Sequence, residues 1–306
     1  MMRATMKKLL LVDAHSLLHR AFHAIPPLTS PSGEVVNALY GVAKIITKIL
    51  REEAPDYVAV LRDLPEPTFR KKEYEAYKAT RPKTADELVS QLKRAPELFD
   101  AFGIRVFESP GFEADDLIAT LVHQFREEDV SVVIVTSDMD ALQLVLGDKV
   151  VVLAPKGGLG EFTVYNEEGV REKLGVFPRQ VVGFKSLVGD QSDNVKGVPG
   201  IGPKTAAEIL VKYEDIESFF EKGGEEEKYK KFMAFKDDAF RAKYLVELRK
   251  DAPISSRPEE LLYRGHTERE KEYFEEMGFK SLLREGGTSE KAKKDAVRTA
   301  KAQKLF

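Results

Sequence analysis

The sequence predicts an α/β fold, in which a doubly wound and mostly parallel sheet is followed by a smaller helical region. Two observations predict the sheet. Short apolar runs without polar alternation are typical of strands buried on both faces, and these runs are Lys8–Val12, Tyr57–Leu61 and Val132–Thr136. Segments of helical periodicity separate them, at Val36–Glu52, Asp86–Phe102 and Ala114–Glu127. Strands that alternate with helices at this spacing predict parallel pairing.

The remaining elements follow in chain order. Arg105–Glu108 and Val150–Ala154 predict two further strands, the second of them at an edge of the sheet. Short helices and tight turns replace strands after about residue 168. We therefore expect an α/β core over residues 1–168 and a helical region over 169–285. Residues 286–306 carry few apolar side chains and predict a charged, flexible tail.

Composition narrows the class of protein. With 42% hydrophobic and 32% charged residues, the 306-residue chain has the make-up of a soluble globular protein. Its apolar runs fall short of the roughly 20 residues that span a membrane. The apolar stretch near the start is interrupted by Asp13 and His15, which favours a first strand over a signal peptide. The absence of cysteine excludes disulfides and thiolate metal sites and fits an intracellular protein.

Nine carboxylates stand in five short clusters, and most of the clusters close an apolar run. They are Asp13, Asp63, Glu113, Asp115, Asp116, Asp138, Asp140, Asp190 and Asp193. Carboxylates are costly to bury together unless a cation compensates them, and oxygen ligands suit Mg²⁺ or Mn²⁺. Ligands of doubly wound sheets bind beyond the carboxyl ends of the strands, so the strand-end acids should converge at one rim. The pattern predicts metal-assisted chemistry on phosphate.

Each cluster also has an ordinary explanation. An aspartate after a strand is often a turn residue or helix N-cap, and acids favour the first turn of a helix, where Glu113, Asp115 and Asp116 stand. A haloacid-dehalogenase phosphatase would need a second aspartate two residues after Asp13, and His15 stands there. Three acids in four positions, beside other acidic clusters, favour a metal site.

Two further segments predict contact with nucleic acid. In Gly197–Ala206 a Gly-Ile-Gly turn at Gly200 and Gly202, followed by Lys204 and Thr205, resembles a helix–hairpin–helix that grips a phosphate backbone. An ordinary glycine-capped helical hairpin is the alternative. Residues 70–83 carry six basic and two acidic side chains with two tyrosines among them. This run fits either a solvated surface helix or a site for single-stranded nucleic acid.

Taken together, these motifs resemble the 5′–3′ exonuclease and flap endonuclease family, most closely the nuclease domain at the N-terminus of bacterial DNA polymerase I. The resemblance runs from about Leu9 to Leu283 and rests on blocks in the same order. They are VDAHSLLHRAFHA, PTFRKKEYEAYKATRP, GFEADDLIATL, TSDMDALQL, GDQSDNVKGVPGIGPKTA and MGFKSLLRE. The resemblance implies a PIN-like fold with a helical arch at about 70–95 and a helix–hairpin–helix at about 190–212.

The resemblance also implies a chemistry. Two Mg²⁺ or Mn²⁺ ions would promote phosphodiester hydrolysis at 5′ ends and flaps. Asp13, Asp63, Glu113, Asp115 and Asp116 would hold the tighter ion, and Asp138, Asp140, Asp190 and Asp193 the second. Arg20, Lys78 and Arg81 would contact substrate phosphates, Tyr77 would stack on a base, and the glycine hairpin would hold duplex DNA with a K⁺ ion. A monomeric, cytoplasmic bacterial enzyme of replication and repair is implied, acting on DNA with a 5′ flap, nick or RNA primer.

Two positions depart from the family pattern. Arg62 replaces an aromatic residue before Asp63, and Met139 replaces a lysine between Asp138 and Asp140. These departures are the support for a competing hypothesis, a catalytically weak DNA-junction protein. A toxin-like RNase would lack the glycine hairpin. Gln303–Phe306 loosely resembles a sliding-clamp-binding peptide. Whether the chain is a free-standing nuclease or an excised polymerase domain stays open.

Overall fold

The computed structural model describes residues 6–158 and 160–284, in which the chain forms eight strands and eleven α-helices. The predicted tail and the clamp-like ending lie outside the described residues. The strands are β1 (Lys7–Asp13), β2 (Tyr57–Leu61), β3 (Arg105–Phe107), β4 (Val130–Val135), β5 (Val150–Lys156), β6 (Glu161–Tyr165), β7 (Gly189–Asp190) and β8 (Val195–Lys196). The helices of the first half are α1 (Ala14–Ala24), α2 (Asn37–Glu53), α3 (Phe69–Glu73), α4 (Asp86–Ala101) and α5 (Ala114–Gln124). Those of the second half are α6 (Glu167–Leu174), α7 (Val181–Val188), α8 (Pro203–Tyr213), α9 (Ile216–Lys222), α10 (Lys236–Val246) and α11 (Glu268–Met277).

The main sheet has the strand order β3-β2-β1-β4-β5-β6, and its first five strands run parallel. This confirms the predicted doubly wound sheet. The prediction that β5 is an edge strand is wrong, because β6 pairs with it antiparallel on its outer side. Strand β6 has a mostly half-exposed pattern without a strong apolar run, so the sequence does not signal it.

Successive side chains of β1 point to opposite faces of the sheet, and both faces are covered. Leu10 and Val12 pack into a core with α1, α2 and α4, whereas Leu9 and Leu11 pack into a core with α5. Burial on both faces explains the unbroken apolar run. Because β1, β2 and β4 are parallel neighbours, their carboxyl ends lie at the same edge of the sheet. Asp13, Asp63 and Asp138 stand at or just after these ends.

The segment predicted as a helical arch does not form one helix. It consists of the five-residue α3, a series of turns through residue 80, and the first part of α4. Lys78 lies in these turns with a left-handed φ of 55°, which interrupts any helix there. The turns pack against the rest of the molecule, where Tyr77 contacts Asp193 and Ala76 contacts Asn194.

The helical part of the chain has its own apolar core, built from α7, α8, α9 and the segment around Phe232. Strands β7 and β8 form a two-stranded ribbon that leads from α7 towards α8. No helix within residues 6–158 and 160–284 combines the length and apolar character that crossing a membrane requires.

The β7–β8 ribbon depends on two glycines that face each other. A Cβ at Gly197 would lie 2.3 Å from the backbone nitrogen of Gly189 and 2.5 Å from the carbonyl of Leu187. Such distances cannot be relieved by turning a side chain. The close approach of the two backbones therefore holds the loop that carries Asp190 and Asp193.

We expect Gly197→Ala to lower the free energy of unfolding by about 1–3 kcal/mol, the range for overpacking a tight contact. The matched control is Gly202→Ala, since a Cβ there meets no atom within 4 Å. Urea unfolding of both variants checks the prediction. Equal stability of the two would show that the ribbon does not need the close approach.

Candidate metal centre and nucleic-acid interface

The carboxyl ends of three parallel strands deliver acids to one cleft. Asp13 ends β1, while Asp63 and Asp138 follow β2 and β4 by two and three residues. With Asp115 and Asp190 they line a cleft of about 1080 Å³. Asp13 is held by the backbone N–H of Ser16, at 3.0 Å, and by the Thr136 hydroxyl, at 2.7 Å. The convergence expected from the strand order is thus present.

Four of these acids, Asp13, Asp63, Asp115 and Asp138, form no ion pair with a lysine or arginine within the described residues. We call them the first acid group. Burial, with the charge of Asp63 next in size, raises the pKa of Asp13 to about 7. Burial and then the charge of Asp138 raise the pKa of Asp115 well above its usual range. Within the described residues, the buried Oδ1 of Asp115 has no hydrogen-bond partner. A buried acceptor without a donor, among mutually repelling acids, suits a divalent cation.

Three other acids, Asp140, Asp190 and Asp193, form what we call the second acid group, and protein cations neutralise it. Lys185 forms ion pairs with Asp140 and Asp190, while Asp193 pairs with Arg81, at 2.5 Å, and with Lys78, at 3.7 Å. Burial is the largest single influence on the pKa of Asp190 and raises it, but the charge and hydrogen bond of Lys185, together with hydrogen bonds from Ser192, lower that pKa overall. The two groups therefore differ in how their charge is balanced.

In the described part of the chain, no three carboxylates or imidazoles stand close enough together to form a ready-made metal cage. Lys78, Lys185 and Arg81 pair with Glu113, Asp140, Asp190 and Asp193, so bringing these acids around an ion would require some of the pairs to open.

Asp116, a predicted ligand, is not among the residues that line the cleft. It is 0% exposed, and each of its oxygens accepts two hydrogen bonds. Arg70 Nη2 and the backbone N–H of Arg249 donate to Oδ1, both at 2.8 Å. Arg70 Nη1, at 2.7 Å, and the backbone N–H of Glu113, at 3.1 Å, donate to Oδ2. A carboxylate has about four acceptor positions, so Asp116 has none left for a metal in this arrangement.

Arg70 itself is 1% exposed and uses all of its donors. Besides Asp116 and Glu113, at 3.3 Å, its guanidinium donates to the carbonyl oxygens of Leu245 and Glu247 at 2.8 and 2.9 Å. Five N–H donors thus meet five acceptors. Arg70 lies in α3, Asp116 in α5 and Leu245 in α10, so the pair joins three segments of the chain. Nothing in the basic run of residues 70–72 signals that its first member is buried.

Tyr77, predicted to stack on a base, is buried in this arrangement. Its ring is 3% exposed and packs against Val195, Leu245 and Val246, so base stacking would require the ring to leave this position. Its hydroxyl lies 3.0 Å from Glu113 and 2.9 Å from Asp193 and can donate to only one of them at a time.

The neighbours of Tyr77 fasten the same segment to the acid-bearing loop. Lys78 Nζ donates to Glu113 at 2.8 Å, and the backbone N–H of Lys78 donates to the carbonyl of Asp193 at 2.9 Å. Asn194 donates to the carbonyl of Ala76 at 2.8 Å. Contacts with Glu113 and Asp193 therefore hold the turns of the predicted arch against the cleft.

Arg62 and Met139, the two departures from the family pattern, both have partners within the fold. Arg62 Nε lies 3.4 Å from a carboxylate oxygen of Glu108, which favours pairing with an acidic neighbour over reach to a phosphate. Met139 packs partly buried against the core around α5, while its edge lines the cleft. Arg20 also lines the cleft and donates to the carbonyl of Gly157 at 2.7 Å.

The motifs did not single out His15 and His19, which line the cleft one turn apart on α1. The backbone N–H of Asp63 donates to His15 Nδ1 at 3.2 Å. Burial lowers the pKa of both imidazoles and so favours their neutral form. Their four-residue spacing on a helix beside Asp13 was the available signal.

The glycine hairpin stands between α7 and α8 as the motif predicts. Gly200 has a φ of 85°, which favours glycine, and Gly202 is the N-cap residue of α8. Lys204 is exposed and Thr205 half-buried in the first turn of that helix. The turn follows β8 and leads directly into α8, with the exposed Lys204 beside it.

A parallel sheet with an acid-lined cleft at its carboxyl edge, joined to a helical unit with a glycine hairpin, defines a nuclease of the resolvase-like class. The chain belongs to the 5′–3′ exonuclease family. Its residues 8–175 match the family's N-terminal resolvase-like domain, and residues 176–269 match its C-terminal SAM fold.

Two relatives give the extent of the similarity. The chain is 40% identical over 289 residues to a DNA polymerase I of Caldicellulosiruptor bescii, and the match covers 92% of this chain and 34% of that one. It is 37% identical over 283 residues to a 5′-3′ exonuclease of Aquifex aeolicus, covering 92% and 95%. The chain thus spans about a third of the polymerase and nearly all of the exonuclease.

Solved structures share the fold. A T5 5′-exonuclease with divalent zinc ions bound matches with a TM-score of 0.66 at 23% identity, over 79% of this chain and 90% of that one. A bacteriophage T5 flap endonuclease with DNA and metal ions matches with a TM-score of 0.65 at 22% identity, over 78% and 89%.

Adjacent residues of α5 should respond oppositely to the same substitution. We expect Asp116→Asn to lower the free energy of unfolding by about 3 kcal/mol, since it removes the closer of the two carboxylates that pair with the buried Arg70. Asp115→Asn should leave it unchanged or raise it, because it removes a repelling carboxylate. Urea unfolding in a chelator measures both.

Added Mn²⁺ supplies the second half of this comparison. It should stabilise the Asp116→Asn variant about as much as the parent chain and stabilise the Asp115→Asn variant less. The reverse order would show that Asp116, and not Asp115, is the ligand.

Proposed function

We propose that this chain is a divalent-metal-dependent, structure-specific 5′ nuclease that hydrolyses phosphodiester bonds at 5′ ends, flaps and nicks of DNA and in RNA primers. Family membership supports the reaction class. The observation that carries the proposal for this chain is the first acid group. In it, the buried Oδ1 of Asp115 has no hydrogen-bond partner within the described residues, and burial and repulsion by neighbouring acids raise the pKa of Asp115.

The residues present fit two divalent ions. Asp13, Asp63, Asp115 and Asp138 would hold the first, with Glu113 beside it, and Asp140, Asp190 and Asp193 would hold the second. When bound, such ions supply a hydroxide at neutral pH and stabilise the charge on the attacking and leaving oxygens. Mg²⁺ and Mn²⁺ are the ions that match an all-oxygen ligand set.

The basic side chains of the cleft would then change partners. Lys78 and Arg81 neutralise Glu113 and Asp193 in this structure. When divalent ions neutralise those acids instead, both cations become available for the phosphates next to the scissile bond. Arg20, which also lines the cleft, would hold the same strand. These three residues would orient the substrate, and the ion pairs of Lys78 and Arg81 with cleft acids support this proposal for those two.

Release of Lys78 would also release Tyr77, since both side chains contact Glu113. The turns at residues 74–81 would then be free to reorganise as an arch around a single strand. Base stacking by Tyr77 belongs to that reorganised form and not to the folded-down one.

The hairpin at Gly200 and Gly202, with Lys204 and Thr205, would hold the phosphate backbone of the duplex behind the junction. A K⁺ ion there is a further proposal from the family resemblance. The bacteriophage T5 flap endonuclease with DNA and metal ions supports the assignment of DNA as the partner. A monomer in the bacterial cytoplasm, a role in replication and repair, and a clamp contact through Gln303–Phe306 remain proposals of the same kind.

Two observations weigh against a catalytically weak junction-binding protein. All nine acids are present. Arg62 pairs with Glu108, and Met139 packs partly buried against the core around α5, so both departures have partners within the fold.

A 5′-labelled flap duplex tests the proposal. We expect cleavage with Mg²⁺ and with Mn²⁺, none in a chelator, and a loss of about 100-fold or more in Asp13→Ala, at least the cost of losing a residue that merely supports a metal ligand. Asp129→Ala, an exposed acid at the other end of the strands, is the matched control. Tight flap binding by the parent chain without cleavage in either metal would favour the junction-binding alternative.

A further inference from the structure

Lys185 is the cation that holds the second acid group together. It lies on α7, and its ammonium donates to Asp190 Oδ2 at 2.7 Å and forms an ion pair with Asp140 Oδ1. The side chain is 16% exposed, and those of its partners 12% and 11%. A charge this sheltered from water interacts strongly with its neighbours. The side chain nevertheless lines the cleft, so its ammonium stands where the two carboxylates would meet a metal ion.

Among the described residues, the first acid group has no such ion pair with a lysine or arginine. Lys78 has its ammonium on Glu113 and Asp193, and the buried Oδ1 of Asp115 has no hydrogen-bond partner. A first divalent ion would therefore relieve repulsion without displacing an ion-paired protein cation. An ion between Asp140 and Asp190 would have to displace a protein cation that is already in place.

Met139 stands between Asp138 and Asp140, where the family resemblance implies a lysine. Its side chain packs partly buried against the core around α5. Lys185 approaches Asp140 from α7 and supplies the positive charge beside the acid.

We propose that Lys185 is a built-in counter-cation of the second metal position: it holds Asp140 and Asp190 in the metal-free enzyme and competes with the second divalent ion for them. This inference rests on the proposed two-ion function. It makes the second ion weaker than the first. It also couples that ion to substrate, because a DNA phosphate entering the cleft offers the displaced ammonium a new partner. Lys185 is thus a positioning residue that sets the order in which metal and DNA assemble.

Mn²⁺ titration without DNA, followed by calorimetry and by the electron paramagnetic resonance of free Mn²⁺, tests the proposal. Lys185→Met keeps the length of the side chain and removes the charge. We expect the second ion to bind about tenfold more tightly or better in this variant, with the first ion unchanged. Lys185→Arg should keep the weak second ion. Lys271→Met, which removes an exposed charge on α11, is the matched control and should match the parent chain.

Two results would overturn the proposal, and they differ in what else they overturn. A second ion that binds Lys185→Met and the parent chain equally well removes the role of Lys185 and leaves the two-ion function intact. A single ion in every variant, with or without DNA, removes both.

A measurement on the parent chain covers the case in which Lys185→Met does not fold. Reductive methylation read by mass spectrometry reports how accessible each lysine is. Methylation of Lys185 should rise several-fold when Mn²⁺ is raised from the level that fills the first position to the level that fills the second. Methylation of Lys271 should stay constant. A rate at Lys185 that does not respond to Mn²⁺ would contradict displacement.

Discussion

The mutual repulsion of carboxylates at the carboxyl edge of one parallel sheet is the constraint on which the rest of this structure depends. Strand order brings the acids together, and folding must then balance their charge in a place that water only partly reaches. The protein meets this requirement unevenly. Lysine and arginine side chains form ion pairs with Asp140, Asp190 and Asp193. Asp13, Asp63, Asp115 and Asp138 form no such pair within the part of the chain that the structure describes. The uneven balance indicates where a metal ion is needed most.

The same requirement shapes the segments around the cleft. Tyr77, Lys78 and Arg81 lie folded over the acids because the acids attract them, and this keeps the predicted arch closed down. Arg70 and Asp116 balance their charges in the interior, where they form two hydrogen bonds with each other. Neighbouring backbone groups and Glu113 complete the remaining hydrogen bonds of both side chains. Their pair ties the base of the arch and the acid-bearing helix to the end of α10. The pair thereby fixes α3, α5 and the end of α10 relative to one another.

Much of the fold could be predicted because it follows from local patterns. The runs at β1, β2 and β4 are apolar since both faces of the sheet are covered, and the periodicity of α2, α4 and α5 reflects their packing on it. Strand β6 escaped prediction because its half-exposed side chains follow no strong pattern. The convergence of the strand-end acids could also be predicted, since topology alone requires it.

The charge partners within the site could not be predicted. Arg70 and Lys72 look alike in a basic run, yet one is buried and the other exposed, and only tertiary packing distinguishes them. Lys185 stands in an apolar helix with no motif around it, and its role depends on Asp140, which is distant in sequence. Asp115 and Asp116 are neighbours with the same side chain, but a turn of 100° on α5 points one into the cleft and the other towards Arg70.

The most direct test of this account is the position of the first ion in a crystal of the DNA-free protein exposed to increasing Mn²⁺, located by anomalous scattering. The account predicts a first peak among the oxygens of Asp13, Asp115 and Asp138, with Lys185 still between Asp140 and Asp190. A first peak between Asp140 and Asp190, or one bound by Asp116, would contradict it.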